Sequence, residues 1–377
     1  MDSAVNSRYD RKPMAKNTLG FGIIGCGVIS AWHAKAISGV ANAKLVAAAD
    51  VIPERASALA AKWKCEPCPT VAALLKRPDV DIVTIGTPSG THAELGIEAA
   101  RAGKHVITEK PIDVTLEKAD RLINECQKAG VKLSVVSQFR FQDAIQQALK
   151  AVKAGRFGIL TNASAYTRWF RSQNYYDSES WRGTKALDGG GCLMNQGIHA
   201  LDQVILLAGP IKSVRAMTAT LAHTIEVEDV AVAAIKFMNG AVGHFVGSTA
   251  AYPGQANRVE IHGYKGTACV DLGGKVSNTG DSFADLDGNI RVWEFEDEKG
   301  PAGMWGRDVE ELPVPRVEIS DPDAVNSDNH RRQFEDVVQA VLANREPSVS
   351  GAAGRYALKV ITAIYESART GREVEVA

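Results

Sequence analysis

The stretch Leu19-Gly-Phe-Gly-Ile-Ile-Gly-Cys-Gly-Val-Ile-Ser30 decides the fold of the amino-terminal part of the chain. Its apolar run through Ile24 predicts a buried β-strand. Gly25 and Gly27 then predict a tight turn, and the residues after them predict a helix. A strand that is apolar throughout is buried on both faces, which is typical of a parallel sheet between layers of helices.

Strands and helices alternate regularly after this first strand. Further strands are predicted at residues 43–49, 80–85, 105–108 and 132–136. The intervening helices are predicted at residues 53–64, 70–76, 92–102 and 115–129. This alternation predicts a doubly wound α/β domain, a Rossmann domain, over residues 18–140.

The pattern changes after residue 140, where strands follow one another with few helices between them. Helices are predicted at residues 141–154, 192–207, 328–344 and 352–370. Strands are predicted at residues 214–221, 230–237, 241–249, 258–262 and 267–271. Residues 141–377 are therefore expected to form an α+β domain with a mainly antiparallel sheet. Residues 1–17 are polar and aperiodic, and we expect a flexible tail there.

Composition excludes several classes of protein. The chain has 377 residues, with 43 Lys and Arg against 44 Asp and Glu, which gives a net charge of −1. Nucleic acids and anionic membranes bind basic surfaces, so neither is expected as a partner. No apolar run is long enough for a transmembrane helix, and no secretory signal is visible, so a cytoplasmic protein is expected.

The six cysteines are dispersed, and only Cys65-Glu-Pro-Cys68 has the spacing of a redox or zinc motif. A second pair of cysteines is missing, and the prolines around this motif predict an extended loop. We interpret both residues as ordinary thiols and expect no metal.

Gly25-Cys-Gly27-Val-Ile-Ser30 matches the dinucleotide fingerprint G-x-G-x-x-G/A except at its third position, which is Ser30. The backbone of Gly25, Gly27, Val28 and Ile29 is expected to bind a pyrophosphate at the start of the helix.

Asp50 ends the second predicted strand, 23 residues after Gly27, where a carboxylate binds the ribose hydroxyls. A carboxylate there repels a 2′-phosphate, so NAD is the expected cofactor. Arg55 lies nearby in the sequence and keeps NADP open as an alternative.

Thr108-Glu-Lys-Pro111 follows the fourth predicted strand. Ligands of such sheets bind beyond the carboxyl ends of the strands, so Lys110 lies at the correct edge to handle a proton. The residues alone leave a second interpretation open, in which Lys110 is a surface lysine paired with Glu109.

A second informative segment runs from Asp188 through three glycines to a predicted helix that contains Asn195, His199 and Asp202. Asn195 and His199 are four residues apart, so they share a helix face. Histidine accepts protons near neutral pH, which makes His199 a candidate general base. The alternative is a histidine satisfied inside the fold.

These motifs in this order resemble the glucose–fructose oxidoreductase / inositol dehydrogenase / MocA family (Gfo/Idh/MocA) over residues 18–372. The resemblance rests on four segments: Gly22–Gly27, Thr87–His92, Glu109–Pro111 and Gly189–His199. It implies a Rossmann domain followed by a domain whose open sheet forms a subunit interface, and therefore a homodimer or homotetramer. It also implies reversible oxidation of a ring hydroxyl of a sugar or cyclitol by NAD(P).

The resemblance also implies roles for individual residues. Lys110 orients the substrate hydroxyl, His199 is the second acid/base group, and Asn195 stands where many members have an aspartate. The residues expected to contact the cofactor, besides the fingerprint, are Asp50, Arg55, Thr87, Pro88, His92, Glu109, Lys110, Gln138, Trp181 and Arg182. The residues expected to contact the substrate are Lys110, Arg168, Asn195, His199, Tyr252, Asn257 and His330.

The sequence therefore predicts an NAD(P)-dependent dehydrogenase that oxidises a ring hydroxyl of a sugar, sugar derivative or cyclitol. Two alternatives stay open. One is a redox-neutral lyase, glycosidase or epimerase that oxidises its substrate transiently. The other is a non-catalytic protein that senses NAD or a sugar, supported only by the missing carboxylate at Asn195.

Overall fold

The computed structural model describes residues 17–273, 275–277, 282–283, 288–296, 316–317 and 327–376. The expected amino-terminal tail lies outside these residues, apart from its last residue. The chain divides into two compact units, one of residues 1–136 with 330–355 and one of residues 137–329 with 356–377.

The first unit is built on a six-stranded parallel sheet. Its elements in chain order are β1 (Leu19–Ile24), α1 (Val28–Ser38), β2 (Ala43–Ala49), α2 (Pro53–Trp63), β3 (Glu66–Cys68), α3 (Val71–Leu75), β4 (Ile82–Ile85), α4 (His92–Arg101), β5 (His105–Thr108), α5 (Leu116–Ala129) and β6 (Leu133–Val135). The strand order is β3-β2-β1-β4-β5-β6, and every pairing is parallel. This order reverses direction at β1, which confirms the predicted doubly wound fold.

The rest of the chain is a mixed α/β region. Its elements in chain order are α6 (Asp143–Lys153), β7 (Leu160–Arg168), α7 (Gln173–Asp177), α8 (Ile198–Ala208), β8 (Ile211–Ala219), β9 (Val230–Phe237), β10 (Val242–Ser248), β11 (Arg258–Gly263), β12 (Gly266–Asp271), β13 (Lys275–Ser277), β14 (Ser282–Phe283), β15 (Asn289–Phe295), β16 (Arg316–Val317), α9 (Asp328–Leu342), α10 (Gly351–Thr370) and β17 (Val374–Glu375). None of the helices described here is long and apolar enough to cross a membrane.

The expected domain boundaries need one correction, because residues 330–355 belong to the first unit. The cause is visible in α9. Its Phe334 is fully buried and stacks on Phe21 of β1, with ring centres 6.1 Å apart. Burying an aromatic side chain of this size stabilises a fold by about 2–3 kcal/mol, so this part of the chain returns to the first sheet.

The carboxylate of Glu109 is buried at the end of β5 and ties this end to α1. Its Oε1 lies 3.0 Å from Nε2 of His33, whose Nδ1 is 2.9 Å from Oγ1 of Thr84. Its Oε2 accepts a hydrogen bond from the N–H of Lys110 at 3.1 Å. Burial opposes ionisation of Glu109, but the hydrogen bond with His33 and the nearby charges hold its pKa well below the usual range.

An eight-stranded sheet forms the core of the second unit, in the order β15-β12-β11-β7-β10-β9-β8-β17. Its pairings are antiparallel except for β7 with β10, which confirms the expected mainly antiparallel sheet. The sequence did not predict β7. This strand buries only the small side chains of Ala163, Ala165 and Thr167 on its inner face, so it lacks the apolar alternation that reveals a strand.

Close packing within the protein explains two glycines of the turn before α8. A Cβ at Gly190 would lie 2.1 Å from the hydroxyl oxygen of Tyr365, and a Cβ at Gly191 would lie 1.7 Å from the carbonyl oxygen of Glu228. The buried carboxylate of Glu228 accepts hydrogen bonds from the N–H groups of Gly191 and Leu193, at 3.1 and 2.9 Å. These two glycines are therefore required for packing within the protein.

We expect Gly191→Ala to lower the free energy of unfolding by about 2 kcal/mol or more, because the new methyl group collides with a backbone oxygen that cannot move aside. Denaturant unfolding of the full chain measures this change. Gly27→Ala is the matched control, since a Cβ at Gly27 meets no described atom within 4 Å. Equal stability of the two variants would contradict the packing described here.

Glu109→Gln should destabilise the fold in a pH-dependent way. The pKa of Glu109 in the fold lies below its usual value of 4.5, so the ionised group stabilises the fold above that pH. This contribution is lost as the pH falls through the folded pKa. We expect a deficit of about 1–3 kcal/mol at neutral pH that shrinks below about pH 4.

Denaturant unfolding at neutral and acidic pH tests this expectation, with the exposed Glu117→Gln as the control. A deficit that is constant over the whole pH range would show that the charge of Glu109 does not stabilise the fold.

Candidate functional site

The fingerprint turn after β1 presents an open surface at the start of α1. Gly25 has φ +90°, and a Cβ there would lie 2.7 Å from the Thr87 side chain, so the fold itself requires this glycine. Gly27 differs, because a Cβ there would meet no described atom within 4 Å. No side chain of the described residues caps α1, and Val28 is 82% exposed. The free N–H groups of this helix start therefore suit a phosphate.

Asp50 lies beside this turn at the end of β2. Its Oδ2 accepts a hydrogen bond from the N–H of Cys26 at 2.6 Å, and its Oδ1 accepts one from the N–H of Ile52 at 2.8 Å. The carboxylate is therefore fixed next to the fingerprint, and its remaining lone pairs suit ribose hydroxyls. Arg55 is exposed in the first turn of α2, and its contact with a cofactor stays a prediction.

Two loops at the carboxyl edge of the first sheet are joined by one buried histidine. Nδ1 of His92 lies 2.8 Å from the carbonyl oxygen of Pro111, and its Nε2 lies 2.9 Å from the carbonyl oxygen of Thr87. Burial lowers the pKa of His92. His92 is thus inside the protein, where it positions the Thr87-Pro88 turn. Direct contact of Thr87, Pro88 and His92 with the cofactor stays a prediction.

Lys110 stands in a loop that is fixed on both sides. On one side is the buried Glu109, and on the other is Asp113, whose carboxylate accepts a hydrogen bond from the N–H of Ala93 at the start of α4, at 2.8 Å. The Lys110–Pro111 peptide is cis. The side chain of Lys110 is half-buried. The sequence missed Asp113, whose only signal was its position next to the Glu-Lys-Pro motif.

His330 is placed differently from what the sequence predicted. We expected a substrate residue of the carboxy-terminal domain, but His330 is 1% exposed inside the first unit, where its ring contacts those of Trp32 and His33. Burial lowers its pKa to about 3, so the ring is neutral. In this structure a substrate does not reach it without a rearrangement.

His33, Glu109 and His330 have ligand atoms within 4.8 Å of one another, a set that suits a metal ion by residue type. The contact between His33 and Glu109 already satisfies one atom of each group. We therefore interpret His33 and Glu109 as a hydrogen-bonded pair of the core. Neither ring nitrogen of His330 has a hydrogen-bond partner among the described residues, and the absence of a metal stays a prediction.

In the second unit, Asn195 is oriented by a buried carboxylate. Oδ1 of Asp188 accepts a hydrogen bond from Nδ2 of Asn195 at 2.9 Å, and Oδ2 accepts one from the N–H of Gly183, also at 2.9 Å. Because the amide nitrogen of Asn195 faces Asp188, its oxygen is the atom that suits a substrate hydroxyl. The sequence contained Asp188 next to the glycines, but nothing in its spacing indicated this contact.

The sequence predicted one regular helix that carries both Asn195 and His199, and the structure differs from this prediction. Residues Cys192–Gly197 form a wider helical turn, and α8 begins at Ile198. The wider turn changes the helical phase between Asn195 and His199. Gly197 lies inside it, where a Cβ would be 2.7 Å from the ring of Phe245. Such turns are frequent at functional sites.

His199 is 8% exposed and packs edge-on against Phe139, with ring centres 4.9 Å apart. The residues around Phe139 are clamped to α8 by Asp202. The carboxylate of Asp202 accepts hydrogen bonds from Ser137 and from Nε of Arg140, the latter at 2.7 Å. This buried ion pair, which the sequence did not reveal, fixes the ring of His199.

Gln138 belongs to the same clamped segment. Its side-chain oxygen is buried and has no hydrogen-bond partner among the described residues. Buried polar atoms are normally satisfied, so this oxygen fits a residue that awaits a ligand. Its predicted contact with the nicotinamide ribose stays a prediction.

The other predicted residues of the second unit are scattered. Arg168 ends β7 on the face opposite to the buried Thr167, with its guanidinium 4.7 Å from the ring centre of Tyr166. Tyr252 is 66% exposed. Asn257 is fully buried, and neither atom of its amide has a hydrogen-bond partner among the described residues. The guanidinium carbon of Arg182 lies 4.8 Å from the ring centre of Trp181.

The Cys65-x-x-Cys68 motif forms no disulfide and continues into the short strand β3 instead of the expected loop. Burial raises the pKa of Cys65 to about 11, and that of Cys68 is also raised. Both thiols are therefore protonated at neutral pH, as expected for ordinary cysteines.

Comparison with known proteins identifies the family. Residues 19–137 match the model of an oxidoreductase family with an NAD-binding Rossmann fold, and residues 145–269 match the GFO/IDH/MocA C-terminal domain. An inositol 2-dehydrogenase from Rhizobium meliloti (strain 1021) is 32% identical over 71% of this chain and 80% of its own length. A D-apiose dehydrogenase from Paraburkholderia graminis is 28% identical over 94% of this chain and 88% of its own length.

A solved structure agrees over nearly the whole chain. It is the WlbA dehydrogenase from Bordetella pertussis in complex with NADH and UDP-GlcNAcA, with a TM-score of 0.79 and 33% identity over 95% of this chain and 98% of that one. These matches confirm the resemblance that the sequence motifs indicated. The chain belongs to the Gfo/Idh/MocA family of NAD-binding oxidoreductases.

Proposed function

We propose that the protein is a dehydrogenase that oxidises a ring hydroxyl of a sugar, sugar derivative or cyclitol, with NAD as the hydride acceptor. One observation carries this proposal. The structure combines an open surface at Gly27 with Lys110, whose backbone N–H donates to the buried Glu109 at the carboxyl edge of the same sheet. Catalysis next to a bound dinucleotide requires both features.

NAD fits the residues of the first unit. The backbone N–H groups at Gly27, Val28 and Ile29 would hold its pyrophosphate, and Asp50 would hold its adenosine ribose. When bound, NAD accepts the hydride from the carbon that carries the substrate hydroxyl. The carboxylate of Asp50 opposes a 2′-phosphate, which supports NAD over NADP. Arg55, in the first turn of α2, keeps NADP as the alternative.

Lys110 and His199 divide the proton chemistry between them. The ammonium group of Lys110 donates a hydrogen bond to the hydroxyl oxygen and stabilises the negative charge that develops there. His199 accepts the hydroxyl proton as the general base. The oxygen of Asn195 accepts a hydrogen bond from this hydroxyl or its neighbour, since Asp188 holds the amide nitrogen. Asn195, which stands in place of a carboxylate, therefore positions the substrate hydroxyl, and His199 accepts the proton.

The relatives support a dehydrogenase over the two alternatives, a redox-neutral enzyme and a non-catalytic sensor. The inositol and D-apiose enzymes are named dehydrogenases, and the WlbA structure is a complex with NADH. The fixed backbone at Lys110 and the packed ring of His199 favour an enzyme over a sensor.

We also propose a homodimer or homotetramer that forms through the open face of the large sheet, and a cytoplasmic location. Met217, Val232 and Val246 are cross-strand neighbours on β8, β9 and β10. Met217 is 75% exposed and Val232 is 40% exposed. A row of apolar side chains across three strands is typical of a surface that a partner covers.

Gly27→Ala should weaken NAD binding at least tenfold and leave the free energy of unfolding nearly unchanged, because its methyl group meets no described protein atom but takes the space a phosphate needs. Calorimetric titration with NAD measures the affinity. Ser38→Ala, at the other end of α1, is the control. Unchanged NAD affinity in Gly27→Ala would place the cofactor elsewhere.

Lys110→Met and His199→Gln should each lower kcat by about 10²–10⁴-fold on the best substrate of a panel of sugars, cyclitols and sugar nucleotides. The rate is followed by the absorbance of NADH, and NAD binding is measured separately. The exposed Lys150→Met is the matched control. Near-normal turnover in both active-site variants would refute the assigned chemistry.

Val232→Glu should dissociate the oligomer, since it places a charge in the middle of the apolar row. Light scattering coupled to size exclusion measures the mass. Val51→Glu, at a position that is 94% exposed in the first unit, is the control. A wild-type chain of 40.3 kDa that elutes as a monomer would contradict the proposed assembly.

A further inference from the structure

Two arginines and three aromatic residues of the second unit form a chain of contacts before the glycine turn. In contact order they are Trp169, Arg171, Tyr175, Arg182 and Trp181, and we name this group the guanidinium–aromatic stack. The guanidinium carbon of Arg171 lies 5.2 Å from the ring centre of Trp169 and 4.3 Å from that of Tyr175. The guanidinium carbon of Arg182 lies 4.1 Å from Tyr175 and 4.8 Å from Trp181.

A guanidinium that lies over an aromatic ring uses its face for the contact. Its N–H donors point outward in the plane of the group, where they suit the oxygens of a carboxylate or phosphate. Nε of Arg182 is buried and has no hydrogen-bond partner among the described residues, and no described carboxylate forms an ion pair with it. A partly buried cation with an unused donor is a site that favours an anion.

The stack is also rigid. The N–H of Arg171 donates to the carbonyl oxygen of Thr249 at 2.8 Å, and its carbonyl oxygen lies 2.7 Å from Nε2 of His223. The hydroxyl of Tyr176 lies 2.8 Å from Oγ1 of the same Thr249. The N–H of Arg171 is thus fixed to Thr249, just after β10, and its carbonyl oxygen to His223, so little ordering is needed when a ligand binds.

The stack leads directly to the residue assigned to the substrate hydroxyl. Arg182 is followed by Gly183, whose N–H donates to Asp188, and the same carboxylate holds Asn195. Gly183 and the carboxylate of Asp188 therefore connect Arg182 with the amide of Asn195. A molecule that places a hydroxyl at Asn195 and extends toward Arg182 meets a cation.

We propose that the guanidinium–aromatic stack binds an anionic group of the substrate, so that the protein selects sugars that carry a carboxylate or a phosphate over neutral sugars. This inference rests on the proposed function for the identity of the ring hydroxyl. Carboxylate and phosphate share the required chemistry, which is a planar or tetrahedral set of oxygens that accepts two N–H donors. The sequence assigned Trp181 and Arg182 to the cofactor, and the test separates the two roles.

Equilibrium binding to the full chain saturated with NAD provides the test, because it does not depend on turnover. Calorimetry compares D-glucose, D-glucuronate, glucose 6-phosphate and UDP-glucuronate. We expect at least one anionic probe to bind ten or more times more tightly than glucose. A tenfold difference in dissociation constant corresponds to about 1.4 kcal/mol of binding free energy. A preference for glucuronate identifies the carboxylate as the ligand. A preference for glucose 6-phosphate without one for glucuronate identifies the phosphate, and UDP-glucuronate tests a probe that carries both groups.

Arg182→Gln should abolish this preference and leave the affinity for glucose unchanged. Arg156→Gln is the matched control, since Arg156 also lies over an aromatic ring, 4.0 Å from that of Phe295. Equal binding of neutral and anionic probes to the wild type would overturn the proposal. So would an Arg182→Gln variant whose only defect is a higher dissociation constant for NAD.

Production of NADH is scored separately from binding. Selective binding of an anionic probe without NADH formation from any sugar supports the stack and contradicts the dehydrogenase. NADH formation with equal affinity for neutral and anionic sugars supports the dehydrogenase and contradicts the stack.

Discussion

A single buried carboxylate, that of Glu109, holds together the parts of the first unit on which the chemistry depends. It contacts His33 of the fingerprint helix and the backbone of Lys110 in the same place. Burying a charge is costly unless its partners are fixed, so the carboxylate keeps its environment rigid. The helix start that suits a phosphate and the lysine that suits a hydroxyl are therefore parts of one hydrogen-bonded core.

The second unit repeats this principle with three more buried carboxylates. Glu228 fixes the glycine turn, Asp188 orients the amide of Asn195, and Asp202 clamps the segment whose Phe139 packs on the ring of His199. In each case the acid accepts hydrogen bonds from groups of its own unit. Acidic residues thus set the geometry, whereas the groups assigned to the chemistry are an amine, an imidazole and an amide.

The sequence predicted five of the six strands of the first sheet because these strands are short, continuous apolar runs, and it missed β3, which contains a proline. It failed at β7, whose inner face is alanine and threonine, and at the wide turn at residues 192–197, where packing of Gly197 overrides the helical period. Motif spacing indicated Lys110, Asn195 and His199 as site residues, and their roles stay a prediction. It named Asp188 and Asp202 in the same segment but could not assign their partners, because these are set by folding and not by spacing. It misplaced His330, which returns to the first unit through packing of its helix.

The central claim is that hydride leaves a ring carbon of a sugar or cyclitol and remains on the nicotinamide. The most direct measurement is the fate of deuterium from a substrate labelled at its ring carbons, followed by mass spectrometry of cofactor and product. The account predicts one deuterium in each NADH formed and one NADH for each ketone produced. Product that forms while the cofactor stays oxidised, with deuterium retained on the sugar, would contradict it.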